Sequence, residues 1–127
     1  MKVLIAEDDN TTSEMLTESI RKWGFDPVPV DDGDKALKAM YMVSRPYIVL
    51  LDWNMPVKNG LDVLLAIRKD DKIKNTYVIM LTTMGDTESV TKAIQAGAND
   101  YVVKPYDSAD LQLRLMKAQR AINKIIT

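Results

Sequence analysis

The chain has 127 residues, 17 basic and 18 acidic, a formal net charge of -1 and 46% apolar residues. A chain of this size reads as one domain that removes very roughly two-thirds of its unfolded surface from water, which argues against a disordered chain or a disulfide scaffold. With neither Cys nor His, thiolate and imidazole metal sites, Ser-His-Asp triads and a phosphohistidine of its own are excluded as well. Carboxylates, hydroxyls and Lys remain as the reactive groups, and the charge balance offers no broad basic face for nucleic acid.

Met1-Lys2-Val3-Leu4-Ile5-Ala6 begins like an export signal, but Glu7-Asp8-Asp9 interrupts it too early for export. No window reaches the ~18 consecutive apolar residues of a spanning helix, so the expected location is the cytoplasm. Val3 to Ala6 reads as a strand, followed by a helix from Asn10 to Trp23 with Met15, Leu16, Ile20 and Trp23 at helical spacing. Asp9 or Asn10 caps its start and Gly24 stops it. Asp26-Pro27-Val28-Pro29-Val30 has strand character, and its two prolines place it at a sheet edge. Gly33 to Val43 reads as a helix carrying Ala36, Leu37, Ala39 and Met40, and Ile48 to Leu51 as a buried strand. Gly60 to Lys69 is the third helix, with Leu61, Leu64, Leu65 and Ile67, and Val78 to Leu81 the fourth strand. Asp86 to Ala96 forms a helix ending at Gly97, and Tyr101-Val102-Val103 a short strand. The last helix, about Ser108 to Ile126, carries Leu111, Leu115, Ala118, Ile122 and Ile125 along one stripe. Met15, Met40 and Met80 read as core; Met84, Leu113 and Met116 read as more exposed.

Strand runs without alternation, separated by helices, describe an α/β fold: a doubly wound (βα)5 three-layer sandwich around a five-stranded parallel sheet of order 2-1-3-4-5. Residues 1-127 are expected to form this single domain with no output domain.

Each run is followed by a polar side chain at the carboxyl end of a strand: Glu7 and Asp8, Asp52, Thr82 and Lys104. In an open parallel sheet those ends share one edge, where ligands bind. Converging carboxylates repel unless a cation is bound, and oxygen ligands without His or Cys favour Mg²⁺ or Mn²⁺. Phosphoryl chemistry is the leading expectation, with Asp52 as nucleophile, Lys104 and the metal neutralising the transferring group, and Thr82 bonding one of its oxygens.

These residues resemble the receiver domains of bacterial two-component response regulators, closest in size to the stand-alone chemotaxis type. The resemblance spans essentially the whole chain. It rests on Ala6-Glu7-Asp8-Asp9, on Leu50-Leu51-Asp52-Trp53-Asn54-Met55-Pro56 with Gly60, on Met80-Leu81-Thr82-Thr83, and on Ala96-Gly97-Ala98-Asn99-Asp100-Tyr101-Val102-Val103-Lys104-Pro105. The strand order 2-1-3-4-5 is the flavodoxin-like one associated with that family. The resemblance implies that Asp52 accepts a phosphoryl group from a sensor histidine kinase or phosphotransfer protein, and that Asp8, Asp52 and the Asn54 backbone carbonyl hold Mg²⁺. Glu7 is implied to act through metal-bound water, and Thr82 to move toward the phosphoryl group. Tyr101 would rotate inward behind it and remodel the surface of the fourth helix, fifth strand and fifth helix, to which an unknown protein target binds. The Lys104-Pro105 peptide is implied to be cis.

The implied activity is a switch, with self-catalysed phosphoryl uptake and slow loss but no turnover of a metabolite. Aspartate phosphohydrolases generally need an acid two residues after the nucleophile, and Asn54 cannot transfer protons that way. A flavin carrier of the same topology would meet Glu7-Asp8-Asp9 where a phosphate loop belongs. A receiver-like scaffold that is never phosphorylated would have no use for the acceptor, metal and Lys positions. Thr83 stands where the family commonly has Ala or Gly, which narrows access to the phosphoryl group. Asp100 and Arg114 match receivers that dimerise, but Val90 and Ala121 replace expected charged partners, so the expectation is a monomer that dimerises at most weakly on activation.

Overall fold

In the computed structural model, which describes residues 1-126, the apolar runs lie within parallel strands. The elements in chain order are β1 (Lys2–Ala6), α1 (Asn10–Lys22), β2 (Asp26–Val30), α2 (Gly33–Ala39), β3 (Ile48–Leu51), α3 (Gly60–Lys69), β4 (Tyr77–Thr82), α4 (Thr87–Gln95), β5 (Asp100–Val103) and α5 (Ser108–Ile126). The strands form one parallel sheet in the order β2-β1-β3-β4-β5.

Alternate side chains of each central strand feed two separate cores, because strand residues point to opposite faces. Leu4, Val49, Leu51, Val78 and Met80 pack with Ala36, Val63, Leu64, Ile67 and Ala93 of α2, α3 and α4. Val3, Ile5, Ile48, Leu50, Ile79 and Leu81 pack with Leu16, Ile20, Leu111 and Leu115 of α1 and α5. Burial of each such Val, Leu or Ile side chain contributes roughly 1.5–3 kcal/mol.

The prolines of β2 fit its edge position for a specific reason. Asp26 donates its N–H to the Met1 carbonyl at 3.0 Å and the Val30 carbonyl accepts from Glu7 N–H at 3.1 Å, so the even-numbered residues face β1. Pro27 and Pro29 alternate with them and turn their ring nitrogens to the outer side, where no ladder bond is lost.

All five helices begin behind the carboxyl ends of the strands with a side-chain cap, that of α5 being Asp107, which accepts from Asp110 N–H at 3.1 Å. Asp9 accepts from Thr12 N–H, Asp32 from Lys35 N–H, Asn59 from Asp62 N–H and Asp86 from Ser89 N–H, at 2.7–3.0 Å. Each cap is worth about 1 kcal/mol.

Several side chains expected in the core lie outside it. Met15 is 58% exposed, because Leu16 and Ile20, four residues apart, carry the buried stripe of α1 and Met15 sits one position around the helix from it. Leu65 is exposed for the same reason on α3, where Val63, Leu64 and Ile67 are buried. Ile125 is exposed in the last turn of α5, past Ile122; at 19 residues this helix is about 28 Å long and overhangs the four-residue strand before it. The second helix stops at Ala39 instead of Val43. Met40, Tyr41 and Met42 bond back to carbonyls three residues earlier, a tightened end that turns the chain toward Pro46 and β3 and leaves Val43 fully exposed.

The β3–α3 connection contains the one non-glycine residue with positive φ among those described, Val57 at 70°. Lys58 N–H donates to the Pro56 carbonyl at 2.8 Å around it, a γ-turn of the rare strained sense. A β-branched residue there costs on the order of 1–3 kcal/mol, which exceeds the entropy glycine would lose. Val57→Gly is therefore expected to raise stability by about 1 kcal/mol and the melting midpoint by roughly 4 °C. An unchanged or lower midpoint in differential scanning calorimetry would contradict the strain.

Candidate functional site

Strand register brings the polar residues together. Ala6 pairs with Leu51 across β1 and β3, and Asp52 N–H then donates to the Ala6 carbonyl at 3.0 Å, so Glu7, Asp8 and Asp52 leave adjacent strands at the same level. On the other side Thr82 pairs with Val103, and Lys104 N–H donates to the Thr82 carbonyl at 2.8 Å. Gly60 closes the site from behind. Its N–H donates to the Trp53 carbonyl at 2.8 Å, and a Cβ there would overlap the Asp52 carbonyl oxygen.

Glu7, Asp8 and Asp52 each offer a carboxylate oxygen within 4.8 Å of the others. The Lys104 ammonium donates to Asp52 Oδ2 at 3.2 Å and to Glu7 Oε1. Side-chain exposure is 3% for Glu7, 10% for Asp52 and 16% for Lys104, so these charges interact where water screens them weakly. Asp52 Oδ1 accepts from Asn54 N–H at 3.3 Å, and Asp8 is exposed. The Asp9 carboxylate caps α1 by accepting from Thr12 N–H, while its own N–H donates to Glu7 Oε2 at 3.2 Å.

Burial pushes the Glu7 carboxyl above the usual glutamate range; the Lys104 hydrogen bond opposes this and the Asp52 charge adds to it. For Lys104, burial acts downward, but the hydrogen bond to Glu7 and the charges of Asp52 and Glu7 outweigh it and hold the ammonium above the ordinary lysine value. The two groups stabilise each other as an ion pair.

Thr82 is fully buried at the end of β4, and its Oγ1 accepts a long bond, 3.4 Å, from Met84 N–H. Tyr101 is half-buried, and its hydroxyl donates to the Met84 carbonyl. Burial, followed by the charges of Asp86 and Asp52, raises its pKa. Tyr101 thus contacts the β4–α4 connection and not the carboxylates. The Lys104–Pro105 peptide is cis. Thr83 is exposed beside Thr82.

The donor set suits a hard divalent cation. Its three carboxylates and one ammonium leave a formal excess of two negative charges, and all candidate ligands are oxygens, the set that Mg²⁺ or Mn²⁺ prefers. Sequence reasoning missed Arg68, whose guanidinium reaches four oxygens in the turns that lead into the amino ends of β4 and β5, at the edge of the sheet opposite the acidic cluster. A basic residue in the last turn of a helix ordinarily reads as a solvated complement to the helix dipole, so no local signal marked it.

Residues 3–116 match the family model described as the response regulator receiver domain. The chain is 35% identical to the chemotaxis protein CheY of Pseudomonas aeruginosa over 124 residues, covering 97% of this chain and 99% of that protein. It is 39% identical over 114 residues to the DNA-binding response regulator MtrA of Mycolicibacterium smegmatis, covering 90% of this chain and 48% of MtrA, about half that protein's length. Its fold superposes with a TM-score of 0.82 on the receiver domain of the sensor histidine kinase PA1611 from Pseudomonas aeruginosa PAO1, with 28% identity, 91% of this chain and 94% of the other covered. That structure has a magnesium ion coordinated in its active site cleft. With its 2-1-3-4-5 sheet and its acidic cluster at the carboxyl edge, the chain belongs to the response regulator receiver domain family of two-component signalling.

Proposed function

We propose that this receiver accepts a phosphoryl group on Asp52 from a phosphohistidine of a sensor histidine kinase or phosphotransfer protein, and that the modification alters its α4–β5–α5 surface to control a protein target. The observation that carries this reading is the meeting of Glu7, Asp8 and Asp52 within 4.8 Å with Lys104 already bonded to Asp52.

Asp8, Asp52 and the Asn54 carbonyl would hold Mg²⁺, or Mn²⁺ in its place, with Glu7 acting through water. When bound, the ion neutralises charge on the transferring group. An Asp52 carboxylate oxygen forms the new O–P bond as the histidine N–P bond breaks, and the leaving imidazole nitrogen takes a proton. Lys104, fixed between Glu7 and Asp52, supplies positive charge to the equatorial oxygens without moving far. Thr82 contributes a hydroxyl donor from the end of β4. Loss of its long bond to Met84, together with the Tyr101 bond to the same residue, links the site to α4. Asn54 cannot act as a proton donor or base, which supports slow loss of the phosphoryl group rather than enzymatic turnover.

Arg114 bonds Asp100 and Asp110 of its own chain, which supports a monomer. No helix among the described residues is long and apolar enough to cross a membrane, in keeping with the cytoplasmic location the reading requires.

Phosphoramidate with Mg²⁺ is expected to add one phosphoryl group at Asp52, detected by mass spectrometry of peptides, and EDTA to prevent it. Absence of labelling in the folded protein would overturn the reading. Asp8→Ala is expected to weaken Mg²⁺ binding by about tenfold or more, measured through fluorescence of the half-buried Trp53 beside Asp52; unchanged affinity would remove Asp8 from the site.

A further inference from the structure

The two ends of α4 are held very differently. Its carboxyl end closes with Gly97 N–H bonded to the Ile94 carbonyl at 3.1 Å and Ala98 N–H to the Ala93 carbonyl at 3.0 Å, and Gly97 adopts φ +107°, which favours glycine. Arg68, in the last turn of α3, reaches this turn. Its Nε donates to the Gly97 carbonyl at 2.9 Å and its Nη2 to Asn99 Oδ1 at 2.7 Å. Its Nη1 donates to the carbonyls of Lys74 at 2.8 Å and Thr76 at 2.7 Å. Asn99 in turn exchanges two bonds with Val78, accepting its N–H at 2.8 Å and donating to its carbonyl at 2.9 Å. One planar guanidinium thereby joins the end of α4 to the start of β4, in a geometry only an arginine fork provides. A Cβ on Gly97 would lie 2.9 Å from Arg68 Nε, so the fit has no slack.

Among the described residues, the amino end has no such anchor. The Asp86 cap is internal, to Ser89 N–H and Oγ. The buried residues of α4 are Ser89 and Ala93, small side chains that hold a helix to a sheet with little apolar area. Thr83 and Gly85 are exposed. The connection meets the site through Met84, which receives the Tyr101 hydroxyl and makes the long contact to Thr82.

We infer that Arg68 is the fixed pivot of α4, so that a change at Asp52 swings the Met84-to-Val90 end while the Ala93-to-Gly97 end stays in place. The inference rests on the phosphoryl-switch reading above. Arg68 is a positioning residue: it touches none of the reacting groups, and it makes α4 a lever clamped at one end, so a small displacement at Thr82 becomes a rotation rather than a slide of the whole helix.

Hydrogen exchange of the full chain, read by mass spectrometry with and without beryllofluoride and Mg²⁺, tests this. Exchange across residues 84-90 is expected to change by about tenfold and across 93-99 by less than about twofold. In Arg68→Met the ligand-induced change is expected to spread into 93-99. A merely structural arginine would lower stability without moving that boundary. Arg68→Lys, which keeps the charge but not the fork, should give the same spread in weaker form, and it serves if the Met variant does not fold. Equal changes at both ends of α4 in the unaltered protein would overturn the pivot and leave the switch standing. No change at either end, with beryllofluoride bound at Asp52, would overturn both.

Discussion

Asp52→Asn folds normally and accepts no phosphoryl group from phosphoramidate, a loss expected to exceed about a thousandfold in labelling rate. The amide has nearly the same shape as the carboxylate and can still accept the Lys104 hydrogen bond that now reaches Asp52 Oδ2 at 3.2 Å. It lacks the negative oxygen that attacks phosphorus. Removing one of three neighbouring carboxylates also relieves repulsion, so the urea midpoint should not fall. Glu7 remains to pair with Lys104, so no buried ammonium is left alone. Mass spectrometry after incubation with phosphoramidate and Mg²⁺ gives the answer, and labelling of the variant at the rate of the unaltered protein would show that another group is the acceptor.

Gly60→Ala is expected to cost about 3 kcal/mol or more of stability. The added Cβ would overlap the Asp52 carbonyl oxygen and lie 2.9 Å from both the Asp52 carbonyl carbon and Trp53 Cα. All three atoms are backbone, and backbone cannot rotate aside. Asp52 is further fixed through its N–H to Ala6, in the middle of the sheet. Whatever relaxation occurs displaces Asp52 itself, so the phosphoramidate rate should fall along with the urea midpoint. An unfolding free energy within about 0.5 kcal/mol of the parent would mean that the loop yields easily.

The arrangement of strands was legible because a run such as Ile48 to Leu51 needs burial on both faces, and the two prolines of β2 leave it only an edge. The acidic cluster was legible for a related reason: strands that share a direction must present their following residues at one edge. What escaped was set by distant contacts. Met15 and Ile125 fit a helical period as well as their buried neighbours do, and only the position of the opposing sheet decides which face it covers. The end of α2 was misplaced because Met40 to Val43 remain apolar after the helix tightens. Val57 carries no trace in its side chain of the backbone angle forced on it. Arg68 finds its acceptors on residues up to 31 positions away, beyond the reach of any local pattern.

The outer margin of β2 bears on behaviour at high protein concentration. A stray extended segment approaching it meets two ring nitrogens with nothing to donate, so a sixth strand from another molecule cannot zip on in register. The sheet is thereby protected from templating its own aggregation along this edge, and a variant with both prolines replaced by threonine would lose that protection while keeping every bond between β2 and β1.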